Sequence, residues 1–313
     1  MAIEIRELRY FVHVARAGSF SRAADELHIA QPALSRQLHK LEEELGEPLL
    51  VRHGRGIRLT RAGTCLLNQA EAIMLQLKRI PALISAQEDS FAGVVTLGLP
   101  PIAGIIIAPE IMAAFRQRWP QGTLNLREGI STSLQEWLLD RRMDIAVLHN
   151  APPLDGMDFV EVLTEHMVVV TQASTASRKA GGAIRFRDLG SLPLIMPSLP
   201  HSNRRLVEQA AMQHGIRLNC VLEVDSVPII KEMVKRGFGS AILTFAAVSD
   251  ECSRGELSAR PITGPPLISR ISIAIPTEAR TSWVASEFLP LLRETIACLA
   301  RSGAWAGSPH VHA

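Results

Sequence analysis

A short polar series carries the most suggestive chemistry in the chain: Gln31, Ser35, Arg36, His39 and Lys40, threaded through an apolar ladder of Leu34, Leu38, Leu41 and Leu45. The ladder has the three-to-four residue spacing of a helix, which turns it inward and leaves Ser35, Arg36, His39 and Lys40 outward. A guanidinium such as Arg36 has the fork geometry for a bidentate pair with guanine, and a carboxamide such as Gln31 for one with adenine. Each such pair discriminates by roughly 1–3 kcal/mol. Hydroxyl and ammonium groups, as at Ser21, Ser35 and Lys40, suit phosphates, which fix register without reading sequence. On spacing alone, a solvated charged face explains the same residues equally well.

The patterns of catalysis are missing. The chain has no nucleophile elbow, no HExxH and no P-loop, and Gly237-Phe238-Gly239 precedes a strand pattern instead of following one, which is the wrong context for a dinucleotide. It reads as a turn. Cys65, Cys220, Cys252 and Cys298 stand far apart, with no CxxC and no histidine at ligand spacing, so reduced thiols are expected rather than disulfides or zinc. No enzyme activity, metal or cofactor is expected.

The elements that must hold the polar series are three short helices and a hairpin. Leu8, Phe11, Val12, Val14 and Ala15 recur at helical spacing from about Ile5 to Ala17, and Gly18 supplies a stop. Ser19 and Ser21 can cap a second helix through Ala23, Ala24 and Leu27. After a tight link at His28-Ile29-Ala30-Gln31, Pro32 suits the first turn of a third helix that ends at Gly46. Two helices joined in this way, the second with outward polar residues, form a helix-turn-helix. Next come two strand patterns, Pro48 to Arg52 and Ile57 to Thr60, around a basic tip of His53-Gly54-Arg55-Gly56. Such a wing can reach a minor groove or a phosphate.

The run Leu8-Arg9-Tyr10-Phe11-Val12, Ala17-Gly18-Ser19-Phe20-Ser21-Arg22-Ala23-Ala24, Gln31-Pro32-Ala33-Leu34-Ser35-Arg36-Gln37, Leu41-Glu42-Glu43-Glu44-Leu45-Gly46 and Leu59-Thr60-Arg61-Ala62-Gly63 resembles the signature of LysR-type transcriptional regulators, in order and spacing across some sixty residues. The resemblance implies that Gln31, Pro32, Ser35 and Arg36 face the major groove. It also implies that Arg55 touches the backbone or minor groove, and that the partner is double-stranded DNA at a dyad-symmetric promoter site. Shorter stretches, including Leu97-Gly98-Leu99-Pro100-Pro101, Arg141-Arg142-Met143-Asp144-Ile145 and Pro197-Ser198-Leu199-Pro200-His201, resemble the branch that contains the nitrogen-assimilation-control regulators. Where those relatives carry His-Gly-Leu-Arg, this chain has His201-Ser202-Asn203-Arg204.

From Arg61 to about Ile80 a helix is expected, with Leu66, Ile73 and Ile80 seven apart and Ala70 and Leu77 offset by four. That is the seam of a two-helix coil, although one amphipathic helix packed on its own domain shows a similar stripe. Family resemblance favours dimerisation or a homotetramer, and paired half-sites raise the affinity of each module. Pro81 is expected to kink or end the helix, with a polar hinge at Gln87 to Ala92.

Beyond Val94 apolar strands alternate with amphipathic helices: strands Val94–Leu99, Thr123–Arg127 and Ile145–Leu148, helices Ile105–Arg118 and Leu134–Arg142, and a second group from Met167 onward. Continuous Val, Ile and Leu strands imply parallel sheet covered on both faces. The expected fold class is α/β, an N-terminal all-α winged helix-turn-helix joined to a two-lobed, doubly wound domain similar to periplasmic binding proteins. The expected divisions are 3–60 for the DNA-binding domain (helix-turn-helix 20–39), 61–90 for the linker helix and 91–302 for an effector domain. Its lobe I would comprise 92–163 and 268–302, its lobe II 164–267, and 303–313 a disordered tail. In such folds ligands bind between lobes, at strand C-termini and helix N-termini. Those rules select Pro100, Pro101 and Ile102, Ser131 and Thr132, Ser198 and His201, and Ser226. Small hydroxyls at helix starts favour an anionic effector, while each serine or threonine alone serves equally well as an N-cap.

The composition agrees with these limits. At 313 residues with 47% hydrophobic and 20% charged positions, the chain can bury a core in about two domains. The formal net charge is +2, from 33 Lys and Arg against 31 Asp and Glu, so nucleic-acid contact must be local. Residues 1–62 carry ten basic and eight acidic groups, and the other 251 residues carry 23 of each. Near the wing, Arg52, Arg55, Arg58 and Arg61 gather, while Glu42, Glu43, Glu44 and Glu47 lie at the far end of the third helix. No apolar run reaches membrane-spanning length, and the first residues alternate charge with hydrophobe, so an intracellular protein is expected; the family resemblance implies a cytoplasmic bacterial regulator with RNA polymerase as a further partner.

Overall fold

The computed structural model describes residues 3–53, 56–85, 91–173, 182–307 and 309–312, and divides into two compact units, Met1–Gly93 with Asp140–Arg142, and Val94–Leu139 with Met143–Ala313. In the first, α1 spans Ile5–Ala17, α2 Phe20–Leu27 and α3 Gln31–Leu45. Gly18 and Gly46 close α1 and α3 in the left-handed region, at φ 62° and 70°, where a side chain would be strained. Ser19 Oγ caps α2 by accepting the Arg22 N–H. Ala23 and Ala24 are buried, which lets α1 and α3 close over α2 in a core of Phe11, Val14, Leu34, Leu38, Leu41 and Leu49. The wing pairs β1, Leu50–His53, with antiparallel β2, Gly56–Leu59. Gly54 and Arg55, the expected contact at its tip, lie outside the described residues.

Helix α4 runs Arg61–Ser85. Thr60 starts it: its hydroxyl donates to the Pro48 carbonyl at 2.7 Å and accepts the Gly63 N–H at 2.9 Å. A Cβ on Gly63 would fall 2.0 Å from the Leu49 carbonyl oxygen, so only glycine allows the wing strand this close. The helix, expected to kink or end at Pro81, does not end there but continues to Ser85. Proline removes one rung of the hydrogen-bond ladder, which a helix tolerates near its end.

The second unit opens with β3 (Val94–Leu99), α5 (Pro101–Arg118), β4 (Thr123–Glu128), α6 (Ser131–Leu139) and β5 (Ile145–His149). A long strand β6 (Met157–Gln172) follows, then β7 (Ile184–Arg185), β8 (Pro193–Met196), α7 (Ser202–Gln213), β9 (Asn219–Glu223), α8 (Val227–Lys235) and β10 (Ser240–Thr244). The unit ends with α9 (Ser249–Ser253), β11 (Leu257–Thr263), β12 (Ile268–Pro276), α10 (Leu289–Arg301) and β13 (His310–Val311). Strand order is β4-β3-β5-β12-β6-β10-β8-β9. The outer trios β4-β3-β5 and β10-β8-β9 are parallel, and the strands joining them are antiparallel, so the sheet is mixed rather than wholly parallel. β6 belongs to both lobes. Its first part, Met157 to His166, pairs with β12, and its second, Met167 to Gln172, with β10 and β11.

Lobe II buries both faces of β6, β8 and β10. Val169, Leu194, Met196 and Ile242 pack on Val207 and Ala211 of α7, and Val168, Val170, Ile195, Ala241 and Leu243 on Ile230 and Val234 of α8. Both faces being apolar is why these strands lack polar alternation. Helices α5 and α6 start earlier than their apolar spacing suggests, at Pro101 and Ser131 instead of Ile105 and Leu134. Proline at the first helical position and a polar first turn extend a helix beyond its hydrophobic stripe. The described residues of the tail, expected to be disordered, are held in place. Trp305 is 1% exposed, its indole N–H donating to Glu165 at 3.1 Å, and β13 pairs with Leu163 and Thr164 of β6. Burying one indole and adding a strand to an open edge outweighs a composition rich in Gly, Ser and His. Among the described residues no helix is long and apolar enough to cross a membrane.

Candidate nucleic-acid interface and interlobe cleft

On α3 the ladder of Leu34, Leu38 and Leu41 is buried, which fixes the opposite face outward. Gln31, Pro32 and Arg36 are exposed and Ser35 half-buried, all within the first two turns. Gln31 and Arg36 make no side-chain hydrogen bond or ion pair among the described residues, so their donors are free for a ligand. Ser21 is exposed in the first turn of α2. Lys40, expected as a phosphate contact, also has partners within the protein. Its ammonium lies 2.9 Å from Glu7 and 3.4 Å from Glu44. Glu7 is fully buried, and it also accepts the Glu4 N–H at 3.0 Å. That backbone bond and Lys40 hold the Glu7 carboxyl below the usual range against the opposing effect of burial. Lys40 therefore clamps α3 to the start of α1. Glu42 is likewise structural, accepting the N–H groups of Leu49 and Leu50.

The expected coiled-coil seam is split. Ala70 is fully buried against Leu8 and Val12 of α1, with Leu66 packed beside them, so these two positions are covered within their own module. Ile73 is 39% exposed and Leu77 half-buried, and the Ile80 side chain lies outside the described residues. The first half of the apolar stripe is used within the chain's own module, which a seven-residue repeat alone does not reveal.

Between the lobes of the second unit lies a cleft that draws on six chain segments. Pro100, Pro101, Ile102 and Ser131 meet His201 there, joined by Ile130, His149, Ser202, Asn203, Asp225, Val227, Leu243, Thr244 and Ala247. Thr132, Ser198 and Ser226 do not line it. Ser198 instead gives both its N–H and hydroxyl to Asp225, at 2.8 and 2.6 Å. The cavity measures about 60 Å³, room for a few waters. The lobes are latched across it by Asn150, whose Nδ2 donates to Asn203 at 2.9 Å and Ser269 at 3.1 Å while its Oδ1 accepts the Arg270 N–H at 2.8 Å. Asn150 sits at φ 47°, a conformation asparagine tolerates better than most residues. It directly follows β5, so the strand-terminus rule that selected Ser131 would have found it.

The cleft lining holds no Lys or Arg, which runs against the anionic ligand expected from helix starts. Burial, with the neighbouring His201, pushes His149 down to about 4. His201 is lowered chiefly by burial, with Asp225 opposing. Both imidazoles are therefore neutral near pH 7. Behind His149, burial raises Glu165 to about 7 against the Trp305 N–H. His149 Nδ1 and Glu165 Oε1, 3.9 Å apart, are both buried without a hydrogen-bond partner. Ser131 Oγ accepts the His149 N–H at 2.9 Å, which leaves its own proton to donate.

Residues 5–64 match the family described as bacterial regulatory helix-turn-helix proteins of the lysR family, and residues 88–297 match the LysR substrate binding domain. The chain is 32% identical over 307 residues to the HTH-type transcriptional regulator BbuR of Bordetella bronchiseptica, across 97% of this chain and 93% of that one. It is 28% identical over 295 residues to the nitrogen assimilation regulatory protein nac of Escherichia coli, across 94% and 95%. Among solved structures, full-length CbnR complexed with its target DNA shares the fold, with a TM-score of 0.73 at 24% identity over 94% of this chain and 100% of that chain.

Proposed function

This chain belongs to the LysR family of DNA-binding transcriptional regulators, and from that premise we propose that it reads promoter DNA through the first two turns of α3. Arg36 pairs with guanine and Gln31 with adenine in the major groove, Pro32 and Ser35 line the same approach, and Ser21 holds a phosphate. Arg55 at the wing tip serves the backbone or minor groove. The observation that carries the reading is the pair of exposed, unpartnered side chains on a helix whose opposite face is locked into the core. Ile73 and Leu77 of α4 are the seam for a second copy, and two modules then span a dyad.

An effector between the lobes favours one lobe arrangement over another and so alters DNA bending and access for RNA polymerase. The lining of neutral imidazoles, hydroxyls and Asp225 suits a small hydrogen-bonding ligand at the cleft itself, and the 60 Å³ space requires the lobes to part for it. The test is binding-site selection with purified protein. The parent should recover one dyad-symmetric motif, and R36A should lose preference at a single position in each half-site. An unchanged motif from R36A would overturn the assignment.

A further inference from the structure

On the far side of the Asn150–Asn203 latch lies a larger cavity of about 530 Å³, between α7 and the β6–β12 strands that join the lobes. We infer that it is a second ligand site, separate from the cleft, for a small organic anion with an apolar body. Its size lies within the roughly 300–1,000 Å³ usual for small-molecule pockets. Phe159, Leu206, Ile268 and Pro152 give it apolar walls, while Arg205 and Gln209 supply donors.

The two consecutive arginines of α7 show why Arg205 is the anchor. Arg204 is buried and fully engaged, donating to Glu208 at 2.6 Å and to the Pro197 carbonyl at 3.1 Å, with Cys220 Sγ at 3.4 Å. Arg205, half-buried on the cavity wall, makes no side-chain hydrogen bond or ion pair among the described residues. A guanidinium partly removed from water without a partner offers a carboxylate a charge-assisted, bidentate site at little desolvation cost. The second arginine on the wall, Arg270, is already paired with Glu161 at 3.1 Å, so the lining keeps one positive charge in excess. Arg205 also acts on the cleft, where its charge helps keep His201 unprotonated. An anion on Arg205 is thus felt at the effector cleft.

The test uses full-length protein with benzoate as probe, benzamide as its neutral counterpart, and 4-bromobenzoate to locate the site by anomalous scattering. Benzoate should bind saturably below about 10 mM, and benzamide at least about tenfold more weakly. R205Q should weaken benzoate about tenfold or more without changing the melting temperature, and R205K should fall between, since it keeps the charge but loses the fork. The bromine should appear beside Arg205. The inference is overturned if benzoate shows no saturable binding, if R205Q binds it as the parent does, or if the bromine sits in the cleft beside His149 and His201.

Discussion

The α3 face and the interlobe cleft are the two recognition surfaces proposed for this chain, and the fold builds them by opposite means. The α3 face comes from one helix of fifteen residues, its outward side set by leucines three and four apart, and its donors stand ready without rearrangement. The cleft gathers residues from six separated segments, lies shut at about 60 Å³, and is held by one asparagine latch. A surface built locally can be read and rigidly presented. One built across a hinge depends on contacts far away in the chain, and its ligand must work against them.

That contrast can be broken most forcefully from the tail. W305A removes a fully buried indole and one donor to Glu165, and should destabilise the second unit by about 3–5 kcal/mol in denaturant melts. The DNA motif selected by α3 should stay the same.

Next in size is the pH response around the latch. The folded state keeps the Glu165 proton up to about pH 7, whereas the unfolded chain releases it near 4.5, so stability falls as pH rises through that window. His149 acts oppositely: the unfolded chain takes up a proton near 6.5 and the folded one near 4, so stability is lost as pH falls between them. The two slopes oppose where they overlap, and Glu165 alone governs above about 6.5. E165Q should therefore be more stable than the parent at pH 8, on the order of 2 kcal/mol, and should lack the decline from pH 6.5 to 8 in thermal melts.

The DNA face should respond without any of this. R36A should cost about 1–3 kcal/mol of discrimination at one base position, seen in competition gel shifts, with unchanged melting. K40M should do the reverse, lowering the melting temperature of the first unit by exposing the lack of a partner for Glu7, with base preference intact. The smallest effect belongs to the latch itself. N203A removes one interlobe hydrogen bond, about 0.5–1.5 kcal/mol, and should raise the open fraction by small-angle scattering and the hydrogen exchange of α7.

How much of this was legible follows the same division. Gly18, Ser19, Pro32 and Gly46 punctuate the first unit, and the observed helices begin and end where those residues place them, because capping is local chemistry. Arg36 and Gln31 could be singled out because a helix face is set by spacing. Lys40 could not be told from a phosphate ligand, because its partner Glu7 is 33 positions away. The same holds for Ala70, which the heptad assigned to a partner chain and α1 covers instead. In the second unit Trp305, the long first half of β6 and the Asn150 latch all depend on pairing across more than fifty residues, which periodicity does not record. The helix expected from Ile105 begins at Pro101, with Pro100 as its N-cap, because proline punctuates helix starts as well as loops.

The proposal that α3 gives this chain a sequence-specific DNA interface can be tested on DNA itself. Its most direct test is capture of genomic fragments by the purified full-length protein, followed by footprinting of the recovered sites across a salt series. Protection of dyad-symmetric sites with half-sites about 10 bp apart or a multiple of that is expected, persisting at salt concentrations that abolish nonspecific binding. Protection without a shared motif, falling away with salt to the same extent on every fragment, would contradict it.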